Sequence, residues 1–288
     1  MTSATAATPI RTVGVIGAGR MGQPIIGHLA RKGFAVVVHD IDEGKREAVA
    51  QLGAAWAESP VALARGRDAI LVCVGYDREL RELLSVAGLL RDLPCGTIVA
   101  VLSTVHPRTV QELAAEAKAF GVHVVDSTVC RGARAADEGT LLSFVGGHAD
   151  VVERLKPVLA CYSTDIVHTG GVGTAQVAKA ANNLVMWSCL IADHEALALA
   201  KRFGMDVQVL REALLKSSAE NYVLRHWGTN TMAWAEDDME IVQRMADEAG
   251  VDLPQAGLNR ELCRTLKPRR FQLDEYGVQP AAEQRSLK

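Results

Sequence analysis

The sequence predicts an α/β fold: an N-terminal doubly wound, mostly parallel sheet followed by an all-helical C-terminal domain, the two joined by one long helix. Three observations predict it. Short β-branched runs alternate with longer amphipathic ones from Thr12 to about Ile166, the pattern of strands covered by helices on both faces. Several of those runs are apolar at nearly every position, as strands buried on both sides are. From Gly173 onward the strand signal stops and helical periodicity replaces it.

The strands read in order as TVGVIG from Thr12, FAVVVHD from Phe34, AILVCVG from Ala69, GTIVAVLS from Gly96 and VHVVDS from Val122, with LLSFVGG and DIVHTG after a polar segment. A helical pattern then runs from Thr174 to Phe203 and is ended by Gly204. At 1.5 Å per residue its roughly 30 residues reach about 45 Å, enough to join two domains. Further helices are expected over 206–216, 238–249 (ended by Gly250) and 254–266. The implied organisation is a polar tail over 1–11, a nucleotide-binding domain over 12–170, an all-α domain over 171–266 for substrate binding and self-association, and a polar, partly disordered tail over 267–288.

Bulk composition narrows the partners. The chain has 288 residues, 49% hydrophobic and 23% charged, with a net charge of −3. That balance gives no electrostatic reason to expect nucleic acid or an acidic membrane, and leaves a small ligand as the expected partner. The six cysteines lie far apart, without a CxxC pair and mostly inside apolar runs; they read as buried thiols of a reducing compartment. The start lacks a basic segment followed by an apolar one, and no apolar run approaches the roughly 18 residues of a spanning helix, so a soluble, cytoplasmic protein is expected.

The first strand ends in GAGRMG, which places Gly17, Gly19 and Gly22 in a G-x-G-x-x-G turn opening a helix from Met21 to Arg31. The three glycines serve a tight turn, close backbone approach to a diphosphate, and close packing of helix on strand, with the diphosphate on the helix N-terminus. Arg20 and Met21 sit in the same turn. The motif alone is weak; its place between a strand and a helix, with a second strand ending at Asp40 about 20 residues on, strengthens it. Asp40 is positioned to accept from the adenosine ribose hydroxyls. A carboxylate there repels a 2′-phosphate, which favours NAD over NADP, although Lys45 and Arg46 lie close enough in sequence to pair with such a phosphate and keep NADP open.

The segment GGVGTAQVAKAANN, residues 170 to 183, places Lys179 and Asn183 four residues apart on one helix face. The same face carries Met186, Trp187 and Leu190 further along. Its polar end is expected to line a cleft, where the lysine is suited to exchange a proton with a substrate hydroxyl or carbonyl and the asparagine, both donor and acceptor, to orient the same oxygen. Taken alone, the segment reads equally well as an exposed lysine beside asparagines.

A third segment, DSTVCRGARAADEGTL at 126–141, carries Cys130, Arg131 and Gly132 in a glycine-punctuated loop after an apolar strand. With it, three motifs stand in one order, and together they resemble the β-hydroxyacid dehydrogenase family, which includes 3-hydroxyisobutyrate dehydrogenase and tartronate semialdehyde reductases, with 6-phosphogluconate dehydrogenase as a larger relative. VGVIGAGRMGQP matches that family's cofactor motif. DSTVCRGARAADEGTL matches its substrate loop, and GTAQVAKAANN its catalytic segment with Ala175 in place of a glycine. The resemblance spans residues 12 to 265. It implies NAD(P)-dependent hydride transfer to or from a small hydroxy acid or semialdehyde, with Lys179 as general acid/base, Asn183 orienting the substrate, and Ser103 and Thr104 bordering the nicotinamide. It also implies a homodimer or homotetramer. By themselves Ser103 and Thr104 also read as a capping pair before a helix starting near Pro107.

Three departures limit what carries over. The family's serine and first glycine in the loop are Cys130 and Arg131, and its proline is Thr128. A late Lys-Asp-Leu triplet is here Asp237, Asp238 and Met239. The segment between Ser218 and Asp237 is short. Arg131 is a candidate clamp for an anionic group of the substrate; the alternative is that it points outward and the backbone alone holds the acid. Two rivals to a hydroxy-acid enzyme are an imine reductase of similar architecture, which typically lacks the lysine, and a non-catalytic nucleotide sensor. No metal site is expected; His194 reads as a packed helix residue, and Trp187, Trp227 and Trp234 as fillers between helices.

Overall fold

The computed structural model describes residues 9–229, 231–267 and 272–274. Most of the two expected polar tails therefore lies outside the described residues. The chain divides into two compact units, the first running through Lys179 and the second from Ala180.

The first unit is built on eight strands: β1 (Thr12–Ile16), β2 (Ala35–His39), β3 (Ala55–Trp56), β4 (Ala69–Val72), β5 (Ile98–Val101), β6 (His123–Cys130), β7 (Leu141–Gly146) and β8 (Ser163–Gly170). They form one sheet in the order β3-β2-β1-β4-β5-β6-β7-β8. Every neighbouring pair is parallel except β6 with β7. The strand order reverses between β1 and β4, and outside the carboxyl ends at such a reversal the connecting loops diverge and leave a crevice.

The connections carry helices α1 (Gly22–Arg31), α2 (Arg46–Gln51), α3 (Pro60–Ala64), α4 (Asp77–Arg81), α5 (Leu89–Asp92), α6 (Pro107–Ala117), α7 (Gly132–Glu138) and α8 (Ala149–Leu159). Alternate residues of the central strands supply two cores, one on each face of the sheet. Val13, Val15, Leu71 and Ala100 face Ile25, Leu29, Val152 and Leu155 on one side; Ile16, Ile70, Val72 and Val101 face Leu63, Val110 and Leu113 on the other. Burial on both faces explains why these strands are continuously apolar in sequence.

Two differences from the sequence expectation have clear causes. β3 is only two residues long and carries no periodicity to detect. The stretch 126–141 is not a loop: β6 continues to Cys130 because it pairs antiparallel with β7 as far as Cys130 opposite Leu142, and a helix, α7, follows at once.

Helix α9 (Thr174–Arg202) runs 29 residues from the first unit into the second. The second unit adds α10 (Val207–Leu214), α11 (Tyr222–Arg225), α12 (Ala235–Ala249) and α13 (Pro254–Leu266). Its core gathers Trp187, Leu190, Ile191, Val223, Met239, Val242, Ala256 and Cys263. Gly204 and Gly250 follow α9 and α12 with left-handed backbone, φ 77° and 64°, the conformation in which glycine ends a helix without steric penalty. His194 is fully buried, with Nδ1 2.7 Å from the Leu190 carbonyl and its ring 4.5 Å from that of Trp227. Trp187 is buried, whereas Trp234 is 59% exposed rather than filling a helix interface as a buried residue would. All six cysteines are free thiols, and Cys95 is exposed rather than buried. Among the described residues no helix is long and apolar enough to cross a membrane.

Candidate active site

The glycine turn lies after β1, at the strand-order reversal. Gly17 adopts φ 100°, and a Cβ there would stand 2.3 Å from the Cys73 carbonyl oxygen. A Cβ on Gly22 would stand 2.1 Å from the Gly17 carbonyl oxygen. These two glycines are demanded by the fold itself. At Gly19 a Cβ would meet nothing within 4 Å, so that position is bare toward open space beside the N-terminus of α1. Met21 caps α1 without a side-chain bond; in the opening turn the Gln23 N–H donates to the Gly19 carbonyl at 3.1 Å and Pro24 has no N–H, which leaves the Gly22 N–H without a partner inside the helix. A bare backbone and helix N-terminus of this kind fit a diphosphate.

At the end of β2, Asp40 is 7% exposed. Its Oδ2 accepts from the Ala18 N–H at 2.6 Å and its Oδ1 from the Asp42 N–H at 2.9 Å; the Lys45 ammonium lies 3.0 Å from both oxygens. Burial works to raise this carboxyl, but the two N–H donors and Lys45 together outweigh it and hold the group below its ordinary value. Arg46 pairs with Glu58 and lies 5.6 Å over the Trp56 ring. Both cations that could meet a 2′-phosphate thus already have partners. Arg20 makes a two-pronged pair with Asp137 of α7, at 2.8 and 2.5 Å, so its guanidinium joins the glycine turn to the helix after β6.

The end of β6 meets the start of α9. The Lys179 ammonium donates to the Val129 carbonyl at 2.8 Å and lies 3.9 Å from Cys130 Sγ. Cys130 is 4% exposed. Arg131 is the one non-glycine residue of positive φ among those described, at 84°, and Gly132 follows at 77°. The Arg131 guanidinium turns to β8 and the turn before β7: it donates to the Thr140 carbonyl at 3.0 Å and Thr164 Oγ1 at 2.9 Å, and pairs with Asp165 at 2.7 Å. Cys130 and Lys179 are therefore brought together, while the arginine side chain is held elsewhere. Asn183, one turn further along α9, is 2% exposed, and its Oδ1 accepts from Asn182 Nδ2 at 3.0 Å.

What fixes the start of α9 was not legible as a site in the sequence. Asp126, fully buried, accepts from the Gly173 N–H at 2.8 Å and the Gln176 N–H at 2.9 Å. Burial lifts this carboxyl above its ordinary value against the pull of those donors. Thr128 Oγ1 donates to the Ala175 carbonyl at 3.0 Å. The only sequence signal was a charged residue closing an apolar strand. Ser103 donates to the Val74 carbonyl at 2.8 Å, and the cap of α6 is His106, whose Nδ1 accepts from the Arg108 N–H. The capping role considered for Ser103 and Thr104 is therefore taken by His106. Asp238, where the resemblance expects an acidic residue after a lysine, accepts from Trp187 Nε1 at 3.0 Å.

Residues 12–171 match the model of the NAD binding domain of 6-phosphogluconate dehydrogenase, and residues 173–275 that of the NAD-binding domain of NADP-dependent 3-hydroxyisobutyrate dehydrogenase. The chain belongs to the β-hydroxyacid dehydrogenase family. As a family member it is an NAD(P)-dependent oxidoreductase acting on the CH–OH group of hydroxy acids. It is 31% identical to the NAD-dependent L-serine dehydrogenase of Pseudomonas aeruginosa, over 93% of this chain and 96% of that one. It is also 31% identical to human mitochondrial 3-hydroxyisobutyrate dehydrogenase, a match that covers 76% of this chain and 64% of that one. The fold is shared with Mycobacterium tuberculosis 3-hydroxyisobutyrate dehydrogenase solved with L-serine, at a TM-score of 0.82 and 23% identity over 91% of this chain and 95% of that one.

Proposed function

We propose that this dehydrogenase interconverts a β-hydroxy acid of three or four carbons and its semialdehyde, with serine and 3-hydroxyisobutyrate as the model substrates. NAD is the preferred cofactor. The observation that carries the reading is the Lys179 amine, half-buried at the end of β6 beside the Val129 carbonyl and Cys130, on a helix start clamped by Asp126. In the oxidative direction the neutral amine of Lys179 accepts the proton of the substrate hydroxyl, and in the reductive direction its ammonium returns it. Asn183 orients the same oxygen. Backbone N–H groups at Arg131 and Gly132, turned by their positive φ, hold the substrate carboxylate. Since the Arg131 guanidinium is engaged with Asp165, its contribution runs through the main chain. Bound nicotinamide supplies the hydride acceptor or donor.

Gly17, Gly19, Met21 and Gly22 would cradle the diphosphate with Arg20 at its rim, Asp40 would face the adenosine ribose, and Ser103 and Thr104 would border the nicotinamide. The preference for NAD is supported by the buried Asp40 carboxylate and by the internal pairing of Lys45 and Arg46. The assembly is inferred to be a homodimer through the helical unit, where Val185 and Leu199 on its longest helix and Phe203 just past that helix's end are exposed.

The test is absorbance at the reduced-nicotinamide band with L-serine, 3-hydroxyisobutyrate and other C3 and C4 hydroxy acids, for the wild type, Lys179→Ala and Arg131→Gly. Lys179→Ala should lower kcat about 10³-fold, and Arg131→Gly should leave substrate preference and KM unchanged. Undiminished turnover in Lys179→Ala would remove the acid/base assignment. NAD binding without turnover on any acid would favour a nucleotide sensor.

A further inference from the structure

Gln176 is polar yet 1% exposed in the opening turns of α9. Its side-chain Oε1 accepts from the Val105 N–H at 3.0 Å, and its Nε2 donates to the Ser103 carbonyl at 2.8 Å. The two backbone groups belong to residues i−1 and i+1 around Thr104. A residue of a neighbouring parallel strand bonds its partner in that pattern. The Gln176 amide therefore acts as a rung of ladder beyond the end of β5, opposite Thr104. An amide satisfies both contacts at any pH, since one of its atoms accepts and the other donates. The backbone of the same residue is held from the other direction by Asp126.

We infer that Gln176 is a positioning residue, which sets the Lys179 amine three residues further on against the Ser103–Thr104 segment. The inference rests on Lys179 being the acid/base and on that segment bordering the nicotinamide. Displacing a proton-transfer group by about 1 Å can lower a rate by 10²-fold, and the two hydrogen bonds of this amide are the side-chain link that keeps the segment in register with the helix.

Gln176→Leu removes both bonds. Gln176→Glu keeps the acceptor for Val105 but sets a carboxylate oxygen against the Ser103 carbonyl. Both should lower kcat about 10- to 100-fold, with the NAD dissociation constant, read by nucleotide fluorescence, changed by less than about threefold. Hydrogen exchange at the Val105 amide should accelerate in Gln176→Leu without any nucleotide present. As the pH falls and the new carboxyl protonates, it regains a donor, so the activity ratio of Gln176→Glu to Gln176→Leu should rise. Wild-type kcat in both folded variants, with Lys179→Ala inactive, would overturn the positioning role alone. Full turnover in Lys179→Ala would instead overturn the acid/base assignment beneath it. Loss of the fold in both Gln176 variants, judged by circular dichroism, would make the amide a structural group and overturn the proposal as well.

Discussion

Arg131 holds a left-handed backbone that an L-residue with a side chain adopts at a penalty of about 1–2 kcal/mol, at the position where the family resemblance expects glycine. The contacts of its guanidinium with Thr140, Thr164 and Asp165 offset part of that penalty, but exposed ion pairs contribute at most about 1 kcal/mol. Asp193 on α9 carries a different local conflict. It is 6% exposed; Asn221 donates to its Oδ1 at 3.0 Å, while Oδ2 is buried without a hydrogen-bond partner. Burial raises this carboxyl above its ordinary value and the Asn221 donor only partly opposes it. With the folded pKa above the unfolded one, the group's stabilising contribution is complete below the unfolded value of about 3.9 and is lost as the pH rises through the folded value. Asp193→Asn should therefore raise Tm at pH 7, by an amount corresponding to about 1 kcal/mol, and the gain over wild type should shrink toward pH 4. A gain that is constant between pH 4 and 8 would mean that the charge of Asp193 is not its source.

Among the elements, the glycine turn separates what folding needs from what a nucleotide needs. Gly22→Ala forces a Cβ to 2.1 Å from a backbone oxygen, an overpacking that should destabilise by about 2 kcal/mol. Gly19→Ala meets no atom of the chain within 4 Å, so its Tm should match wild type while its NAD dissociation constant rises at least about tenfold, as the new methyl lies where backbone and diphosphate approach. A lowered Tm in Gly19→Ala with unchanged NAD binding would remove this turn from the cofactor site. Such elements were legible because their constraints are local: a turn that tolerates only glycine, strands buried on both faces, and helices stopped at Gly204 and Gly250. The segment 126–141 was legible as a motif but not as structure. Its strand end depends on β6 pairing with β7, a partner supplied only by the fold, and that pairing turned an expected loop into a strand and a helix. The roles of Asp126 and Gln176 are hidden from the sequence for the same reason. Each looks ordinary beside its sequence neighbours and acquires a purpose only from groups dozens of residues away.

At the scale of the whole molecule, a chain with a net charge of −3 and 23% charged residues has polar groups in ordinary supply, yet its longest helix leaves a row of apolar ones in water. Val185 and Leu199 on α9 and Phe203 just past its end are 62%, 59% and 84% exposed, and their spacings of 14 and 4 residues return to nearly the same side at 100° per residue. Ala192 falls between them on that side. Single exposed apolar residues are common and need no explanation, but a contiguous stripe rimmed by polar positions marks a contact surface. A two-fold dimer is the simplest occupant, because one self-complementary stripe then covers both copies. Light scattering after gel filtration should give twice the chain's 30.9 kDa for the wild type. A Leu199→Glu, Phe203→Glu double variant should elute as a folded monomer, since two carboxylates per copy would have to be buried in the contact. A monomeric wild type would leave the stripe without the partner proposed for it. A dimer untouched by the double variant would move the contact to another face.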